Sequence, residues 1–302
     1  MKKSCFFSAL IVLLVMGVTF NACKDDGNDS KNKKIDPSTI ATDNLIAYWA
    51  FEDSPKDEIG NRGVATSEVT YRPGRRGKAY QGAENAYISF DLPTTDKLAT
   101  MKEFTVAMWV KAQPIPDGKG IPCFFQLSGN GWEGSISVFQ ENLGDNKTDS
   151  LRFKGFFGKE GVPWVGHWWD KSHPTMAVDK WFHFVLNYNS ATSIATIYIN
   201  GSAFKFETLG AYETPIRYAD DPGSSDNKNE APKLGELKLP LKEKSNNGII
   251  GYWANRAFGY GEQHDWNGFY YGLLDELRVY NKALSSTEVQ NLYDAEISQI
   301  AE

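Results

Sequence analysis

Residues 194–206 read IATIYINGSAFKF, and this stretch gives the clearest indication of secondary structure in the chain. Two runs rich in β-branched and aromatic residues, 194–199 and 202–206, flank the dipeptide Asn200-Gly201. Both residues of an Asn-Gly pair tolerate the positive φ angles that a tight hairpin turn requires. The stretch therefore predicts two antiparallel strands joined by a turn at Asn200 and Gly201.

A period of two residues recurs elsewhere in the chain. Between 104 and 111 two sets of side chains alternate: Phe104, Val106, Met108 and Val110, and Thr105, Ala107, Trp109 and Lys111. Such alternation predicts a strand with one face in the core. Similar runs predict further strands near 45–51, 86–91, 121–127, 134–140, 151–157, 181–189, 248–253 and 269–280.

One helix is expected near the end of the chain. Ser285-Ser286-Thr287-Glu288 forms a capping box, and it precedes an apolar face made of Val289, Leu292 and Tyr293. About a dozen strands with one short helix predict an all-β fold, in which two antiparallel sheets pack face to face as a sandwich.

Composition excludes several classes of protein. With 23% charged and 14% aromatic residues, the chain is too apolar and too aromatic to be disordered. The net charge of −6 argues against a nucleic-acid partner, which is bound through clustered Lys and Arg. Three cysteines cannot all pair, so the chain is not a disulfide scaffold, and Cys123 is expected to be a buried apolar side chain.

The first residues resemble a bacterial lipoprotein signal. A basic start, Met1-Lys2-Lys3, precedes an uncharged stretch that ends at Phe20-Asn21-Ala22-Cys23. In the lipobox that this ending resembles, the Cys is diacylated and becomes the new N-terminus. Two acyl chains anchor a protein stably, so Cys23 is the expected attachment point to outer-membrane lipid. The alternative is an ordinary secretory peptide with an incidental Cys.

The expected domain organisation follows from this ending. Residues 1–22 are the signal peptide, 23–43 a polar tether, 44–297 one β domain and 298–302 a tail. Asp25 and Asp26, just after Cys23, resemble the export signal of surface-exposed lipoproteins in Bacteroidota-type bacteria. That resemblance implies a lipid-anchored protein on the outer membrane, displayed at the cell surface. The alternative is a plain linker.

Seven blocks, in order, resemble laminin-G-like, concanavalin A-like jelly-roll domains. They are LIAYWAF (45–51) with DEIGN (57–61), YRPGRRGKA (71–79), AYISF (86–90), FTVAMWV (104–110), WFHF (181–184), YING (198–201) and DELRVYNKALS (275–285). The resemblance implies two curved antiparallel sheets whose concave face or rim loops bind ligands, often carbohydrate. It does not decide between lectins, adhesion modules and hydrolases, because this fold hosts all three.

No catalytic motif is evident. Glucanase-type relatives carry Glu-x-Asp-x-x-Glu on one strand, which puts the carboxylates on one face. Here Asp275 and Glu276 are adjacent and so point to opposite faces. Tyr270, Tyr271 and His264 are candidates for a lyase base by residue type alone, and the four histidines match no strong zinc spacing.

Calcium is the metal that the resemblance implies, since many relatives carry one structural ion at the rim of the sandwich. Its ligands would be Asp57 near the start of the domain and Asp275 near the end, because carboxylate oxygens suit this hard cation. The alternative is that Asp57 forms a turn while Asp275 accepts hydrogen bonds from backbone amides.

Loop tryptophans are the candidate ligand-binding residues. Three lie in the segment PWVGHWWD (163–170), and two more flank other turns; with one histidine the set is Trp132, Trp164, Trp168, Trp169, His264 and Trp266. Indole rings can stack on the C–H face of a sugar. The alternative is a minor core beneath the loops.

The function that these features favour is a surface-anchored, non-catalytic lipoprotein that binds polysaccharide. An adhesion or assembly module with a protein partner is one alternative. A polysaccharide lyase or hydrolase with a non-standard site is the other.

Overall fold

The computed structural model describes residues 35–129, 134–143, 147–161, 175–204, 214–215, 234–241, 246–261 and 263–297. The chain divides into two compact units, Met1–Lys34 and Ile35–Glu302, and every described residue belongs to the second. Among these residues, no helix combines the length and the apolar character needed to cross a membrane.

Strands dominate the described part of the chain. In order they are β1 (Leu45–Trp49), β2 (Val64–Ala65), β3 (Thr70–Pro73), β4 (Lys78–Gly82), β5 (Ile88–Asp91), β6 (Phe104–Ala112), β7 (Ile121–Leu127), β8 (Ile136–Leu143), β9 (Lys147–Phe157), β10 (Thr175–Ala177), β11 (Trp181–Asn189), β12 (Ile194–Ile199), β13 (Ser202–Ala203), β14 (Thr214–Pro215), β15 (Asn247–Ile250), β16 (Asn267–Gly268) and β17 (Gly272–Tyr280). The helices are α1 (Ala254–Phe258) and α2 (Ser286–Ile297), and two 3-10 turns lie at Pro37–Thr39 and Thr42–Asn44.

The strands form two sheets. One has nine strands in the order β13-β12-β11-β6-β17-β4-β3, with β1 also paired to β17 and β14 to β12. The other has eight strands in the order β10-β9-β8-β7-β15-β5-β2, with the short β16 parallel to β7. All other pairings among the described strands are antiparallel, which confirms the predicted all-β, two-sheet jelly-roll sandwich.

The hairpin at Asn200-Gly201 forms as its sequence predicts. Both turn residues have positive φ, 49° and 80°, and the Asn200 side chain accepts a hydrogen bond from the His183 backbone N–H at 2.9 Å. Strands β11 and β12 have the bounds expected from the sequence. Within the described residues the strand after the turn ends at Ala203, earlier than the predicted 206.

The main core lies between the two sheets, where Phe104, Val106, Met108 and Val110 are completely buried. The opposite face of β6 is also buried, although the alternation predicts one buried face. Helix α2 covers it: Ala107, Val185 and Tyr280 of the sheet pack against apolar side chains of the helix and its approach, Leu284, Val289, Leu292 and Ala295. The second face of β6 is buried because the apolar side chains of α2 pack against it.

Helix α2 begins at the predicted capping box. The Ser285 N–H donates to Glu288 Oε2 at 2.8 Å, and the Glu288 N–H donates to Ser285 Oγ at 3.2 Å. These reciprocal bonds satisfy backbone donors that the first helical turn leaves free.

The folded unit begins earlier than residue 44. Pro37 and Ile40 are buried, and Ile40 belongs to the apolar cluster beneath α2. Residues 35–43 are therefore part of the domain, in contrast to the predicted tether of 23–43, because their apolar side chains find partners on the helix.

Several strand boundaries differ from prediction by a few residues, two of them near the end of the domain. The strand expected at 248–253 ends at Ile250, and the short helix α1 follows it. The last strand begins at Gly272 instead of 269.

Strand β17 changes partners at a bulge. Its residues 272–274 pair with β4 and residues 277–280 pair with β1, while β6 lies along the other side. The register against β6 shifts between Asp275 and Arg278, and Glu276 has a φ of 52°.

A buried charged network connects this bulge to neighbouring elements. Glu276 accepts hydrogen bonds from the Tyr48 hydroxyl at 2.9 Å, from Arg76 at 2.5 Å and from Arg278 at 2.6 Å. Arg278 also pairs with Glu296 of α2, which accepts a further bond from Trp109 Nε1 at 2.6 Å. The network fixes β1, the turn before β4 and α2 to the interior of the nine-stranded sheet.

Candidate functional site

The outer face of the eight-stranded sheet carries a second apolar layer. Its residues are Cys123, Phe139, Phe156 and Ile249 of the strands, covered by Tyr252, Trp253 and Ala254. Trp253 Nε1 donates to the Ile121 carbonyl at 2.6 Å, and the Ala254 N–H donates to Gln126 Oε1 at 2.8 Å. Cys123 is buried as expected, and burial raises the pKa of its thiol, which disfavours the nucleophilic thiolate.

Trp266 stands at the edge of this layer. The Ile121 N–H donates to the Trp266 carbonyl at 2.5 Å. This close approach needs glycine at 120, since a Cβ there would lie 2.2 Å from the Trp266 oxygen. The indole packs edge-on against Trp253, with ring centroids 5.7 Å apart, and stacks on His264 at 5.0 Å. These contacts fix the orientation of a half-buried indole.

A groove of about 370 Å³ opens beside this indole. Lys119, Glu141, Asp265 and Trp266 supply its functional side chains, and Gly118 and Gly120 form a wall without side chains. The volume lies within the range of small-ligand sites, roughly 300–1,000 Å³.

The charges around the groove are paired. Glu141 lies 2.9 Å from Lys154 Nζ and 3.4 Å from Arg152 Nη1, and Lys154 is only 6% exposed. Lys119 donates to both carboxylate oxygens of Glu84 at 2.9 Å. The groove therefore offers many hydrogen-bonding atoms around an aromatic surface without a large excess of charge.

The structure brings two of the predicted ligand-binding residues together, His264 and Trp266. The other predicted residues, Trp132, Trp164, Trp168 and Trp169, lie outside the described residues, as does Cys23.

The sequence analysis missed the other three functional side chains of the groove, Lys119, Glu141 and Asp265, and the cations that pair with Glu141. The signal available for Glu141 was its alternation with Phe139 along β8, which puts both side chains on the outer face.

Asp57 and Asp275, the predicted calcium ligands, have their oxygens engaged by N–H donors. Asp57 accepts bonds from the backbone of Ile59 and Gly60 at one oxygen, and from Arg62 at the other. Asp275 accepts from the backbone N–H groups of Arg76 and Glu276. This is the turn-and-amide geometry that the sequence left open as the alternative.

These surroundings do not fit a calcium ion. The Arg62 guanidinium lies 3.1 Å from Asp57, where a cation would meet like charge. Burial raises the pKa of Asp275 to about 8, which disfavours its charged form. No group of three or more potential metal-ligating side chains occurs in the described part of the chain. The calcium site therefore stays a prediction from the resemblance alone, and the geometry of Asp57 and Asp275 gives it no support.

Tyr270, a candidate lyase base by type, is completely buried, and its hydroxyl donates to the carbonyls of Lys111 and Leu273 at 3.2 and 3.0 Å. Burial raises its pKa well above the usual value, so it is not placed to take a proton from a ligand.

Residues 82–231 match the family model described as the concanavalin A-like lectin/glucanases superfamily, Laminin_G_3. No curated protein matches the chain.

Solved structures with a similar chain trace share little sequence. Domain 4 of AbnA, a GH43 extracellular arabinanase from Geobacillus stearothermophilus solved with arabinotriose, is 18% identical, with 82% of this chain and 98% of that chain covered and a TM-score of 0.49. The binding domain of Paraclostridial Mosquitocidal Protein 1 is 17% identical, with 83% and 52% covered and a TM-score of 0.47. Trypanosoma rangeli sialidase is 12% identical, with 84% and 33% covered and a TM-score of 0.47. The chain thus spans about half of the toxin chain and a third of the sialidase.

Residues 82–231 are therefore similar in sequence to this family, and the two antiparallel sheets of the described residues form a jelly-roll sandwich, the fold that the sequence predicts.

Proposed function

We propose that this domain binds a glycan in the Trp266 groove without cleaving it, and that Cys23 anchors the protein in the outer membrane with the domain at the cell surface. The observation that supports binding most strongly is the groove itself. A half-buried indole with a fixed orientation borders it, and Lys119, Glu141 and Asp265 surround it.

Sugar chemistry suits this combination. The C–H face of a pyranose packs on an indole, while its hydroxyls both donate and accept hydrogen bonds. Lys119 supplies donors and Asp265 supplies acceptors in the groove that Trp266 lines. Because Glu141 already neutralises Lys154 and Arg152 in part, the groove favours a hydroxyl-rich ligand over a strongly charged one.

The surroundings of the carboxylates favour binding over hydrolysis. A glycosidase needs a carboxylic acid whose proton is retained by an apolar environment, paired with a second carboxylate. Of the two carboxylates in this groove, Asp265 is fully exposed and Glu141 is paired with two cations. Neither carboxylate lies in the apolar environment that such an acid requires.

Attachment through Cys23 would place many copies of the domain on one surface. Weak single sites then act together, since a second contact with the same polysaccharide becomes intramolecular. The polar residues that follow Cys23 would give the domain reach.

A polysaccharide-binding screen tests the proposal. The purified protein is presented with plant, host and microbial polysaccharides, and new reducing ends are assayed in the same wells. We expect retention on one class without new ends. Trp266→Ala should lower that retention at least tenfold, while Trp181→Ala, a half-buried tryptophan of the other sheet, should retain it.

Folded protein that binds no polysaccharide would refute the glycan ligand and favour a protein partner. New reducing ends would refute the non-catalytic assignment. Lys119→Ala separates ligand contact from folding, since this side chain is exposed: lowered retention with an unchanged melting temperature supports a direct role.

A further inference from the structure

A larger groove lies on the outer face of the other, nine-stranded sheet. It measures about 620 Å³ and runs between strands β11 and β12 and the first turn of α2. The strands contribute alternate residues of one face, because Asn187 pairs with Thr196 and Asn189 pairs with Ile194 across the two strands. The helix side contributes Lys282 and residues 285–288.

The floor of this groove contains buried polar groups with unused hydrogen-bonding capacity. Thr196 is 6% exposed, and its hydroxyl makes no hydrogen bond among the described residues. Asn187 is 4% exposed and donates one N–H to the Leu284 carbonyl at 2.7 Å, which leaves its carbonyl oxygen and second N–H. Both residues line the groove, so these atoms can form hydrogen bonds with a molecule bound there.

The rim of the groove also contains polar groups with unused hydrogen-bonding capacity. The Tyr198 hydroxyl lies 3.2 Å from Ser286 Oγ, and both atoms can still accept or donate. Asn189 Oδ1 accepts from the backbone and hydroxyl of Thr192, which leaves the Asn189 amide N–H groups for another acceptor.

Charge at this groove is compensated internally. Lys282 Nζ pairs with Glu288 Oε1 at 2.6 Å, and the second oxygen of Glu288 accepts from Ser285. No other charged side chain lines the groove within the described residues. An ionic ligand therefore gains little binding free energy from ion pairing here. A neutral ligand with many hydroxyls finds both hydrogen-bond donors and acceptors. Ile194 and Ala283 supply a small apolar surface for its C–H groups.

We propose that this groove, bounded by Asn187, Asn189, Thr196, Tyr198 and the first turn of α2, is a second binding site, and that its ligand is a neutral sugar residue. It is separate from the Trp266 groove, because the two lie on different sheets. One molecule with both sites bridges two glycan segments, and this raises the avidity of a surface that displays many copies.

Titration calorimetry of the purified protein tests the second site. The probes are glucose, galactose, mannose, xylose and arabinose, with linear oligosaccharides of each. Thr196→Val removes the unpaired hydroxyl at nearly constant shape, and Asn189→Ala removes the amide at the rim. Thr70→Val is the matched control, because Thr70 is exposed on β3 of the same sheet, outside the groove.

We expect at least one probe to bind saturably to the Trp266→Ala variant, in which the first groove is disabled. In that background Thr196→Val and Asn189→Ala should each weaken binding about fivefold or more, and Thr70→Val should leave it unchanged. Complete loss of binding in Trp266→Ala alone would overturn the second site while supporting the first.

Binding to Trp266→Ala that neither groove substitution weakens would also overturn the second site. Failure of every probe to bind the parent protein would overturn the second site, whereas the first site is decided separately by the polysaccharide screen.

Discussion

Replacing Glu296 by alanine tests whether the buried charged network holds α2 to the nine-stranded sheet. Glu296 is completely buried and is the α2 residue of this network, where Trp109 and Arg278 both donate to it. In Glu296→Ala the Trp109 N–H and one edge of the Arg278 guanidinium lose their acceptor without gaining access to water.

The expected loss follows from these two donors. A buried donor left without a partner costs about 1–3 kcal/mol. Removing one partner of a buried ion pair costs roughly 3–5 kcal/mol. Because Arg278 keeps Glu276 at 2.6 Å, the full sum is not reached, and we expect the free energy of unfolding to fall by about 3–5 kcal/mol in total. At roughly 2–4 °C per kcal/mol for a domain of this size, the melting temperature falls by about 6–20 °C.

Thermal and urea unfolding of parent and variant, followed by circular dichroism, measure this loss. The buffer is held above the pKa of about 7 to which burial raises Glu296, so that the carboxylate is ionised in the parent. Asp294→Asn is the control, because it removes one acidic charge from the exposed side of the same helix. Glu296→Gln should lose less than alanine, since its amide oxygen can still accept from Trp109.

The reasoning would be refuted if Glu296→Ala were as stable as Asp294→Asn, within about 0.5 kcal/mol, the range typical of surface substitutions. The reasoning would also be refuted if Glu296→Ala and Glu296→Gln lost the same free energy of unfolding. In that case the Trp109 hydrogen bond would contribute nothing.

Three further predictions concern pH, packing and metal. Burial lowers the pKa of His183 from 6.5 to about 3, so the unfolded chain takes up a proton at a higher pH than the folded protein does. The free energy of unfolding therefore falls as the pH drops from about 6.5 to about 3. The melting temperature measured against pH should fall less in His183→Gln than in the parent. Gly248→Ala should cost about 1–3 kcal/mol in urea unfolding, because a Cβ would lie 1.8 Å from the buried Phe90 ring, and unchanged stability would contradict this packing. Since Asp57 is engaged by N–H donors and Arg62, we expect equal melting temperatures in calcium and in EDTA; a calcium-dependent rise that Asp57→Asn abolishes would instead support the metal.

The sequence predicted those elements that are determined by residues close together in the chain. The Asn200-Gly201 turn and the Ser285–Glu288 capping box each depend on residues within a few positions, and both form as expected. The burial of both faces of β6 was missed, because it depends on a helix nearly two hundred residues further along the chain. Alternation reports which side chains share a face, but not what covers that face.

The candidate site shows the same division. The tryptophan at 266 stood out because of its loop context, and it does line a groove. Glu141 and Lys119 come from different segments, and only the fold brings them beside that indole. The sequence predicted that Asp275 and Glu276 point to opposite faces, as adjacent residues of a regular strand do. The bulge at Glu276, however, turns that side chain into the charged network. No short pattern in the sequence predicts a bulge at this position.

The pairing of β1 with β17 also decides how the domain carries mechanical tension. A pull on the chain ahead of Leu45 is transmitted to β1, whose hydrogen-bonded partner β17 is an interior strand of the nine-stranded sheet. Before β1 can peel away, the Tyr48 hydroxyl must leave Glu276, and through Arg278 the same carboxylate is coupled to Glu296 on α2. We therefore expect load applied at the first strand to be shared with the last helix.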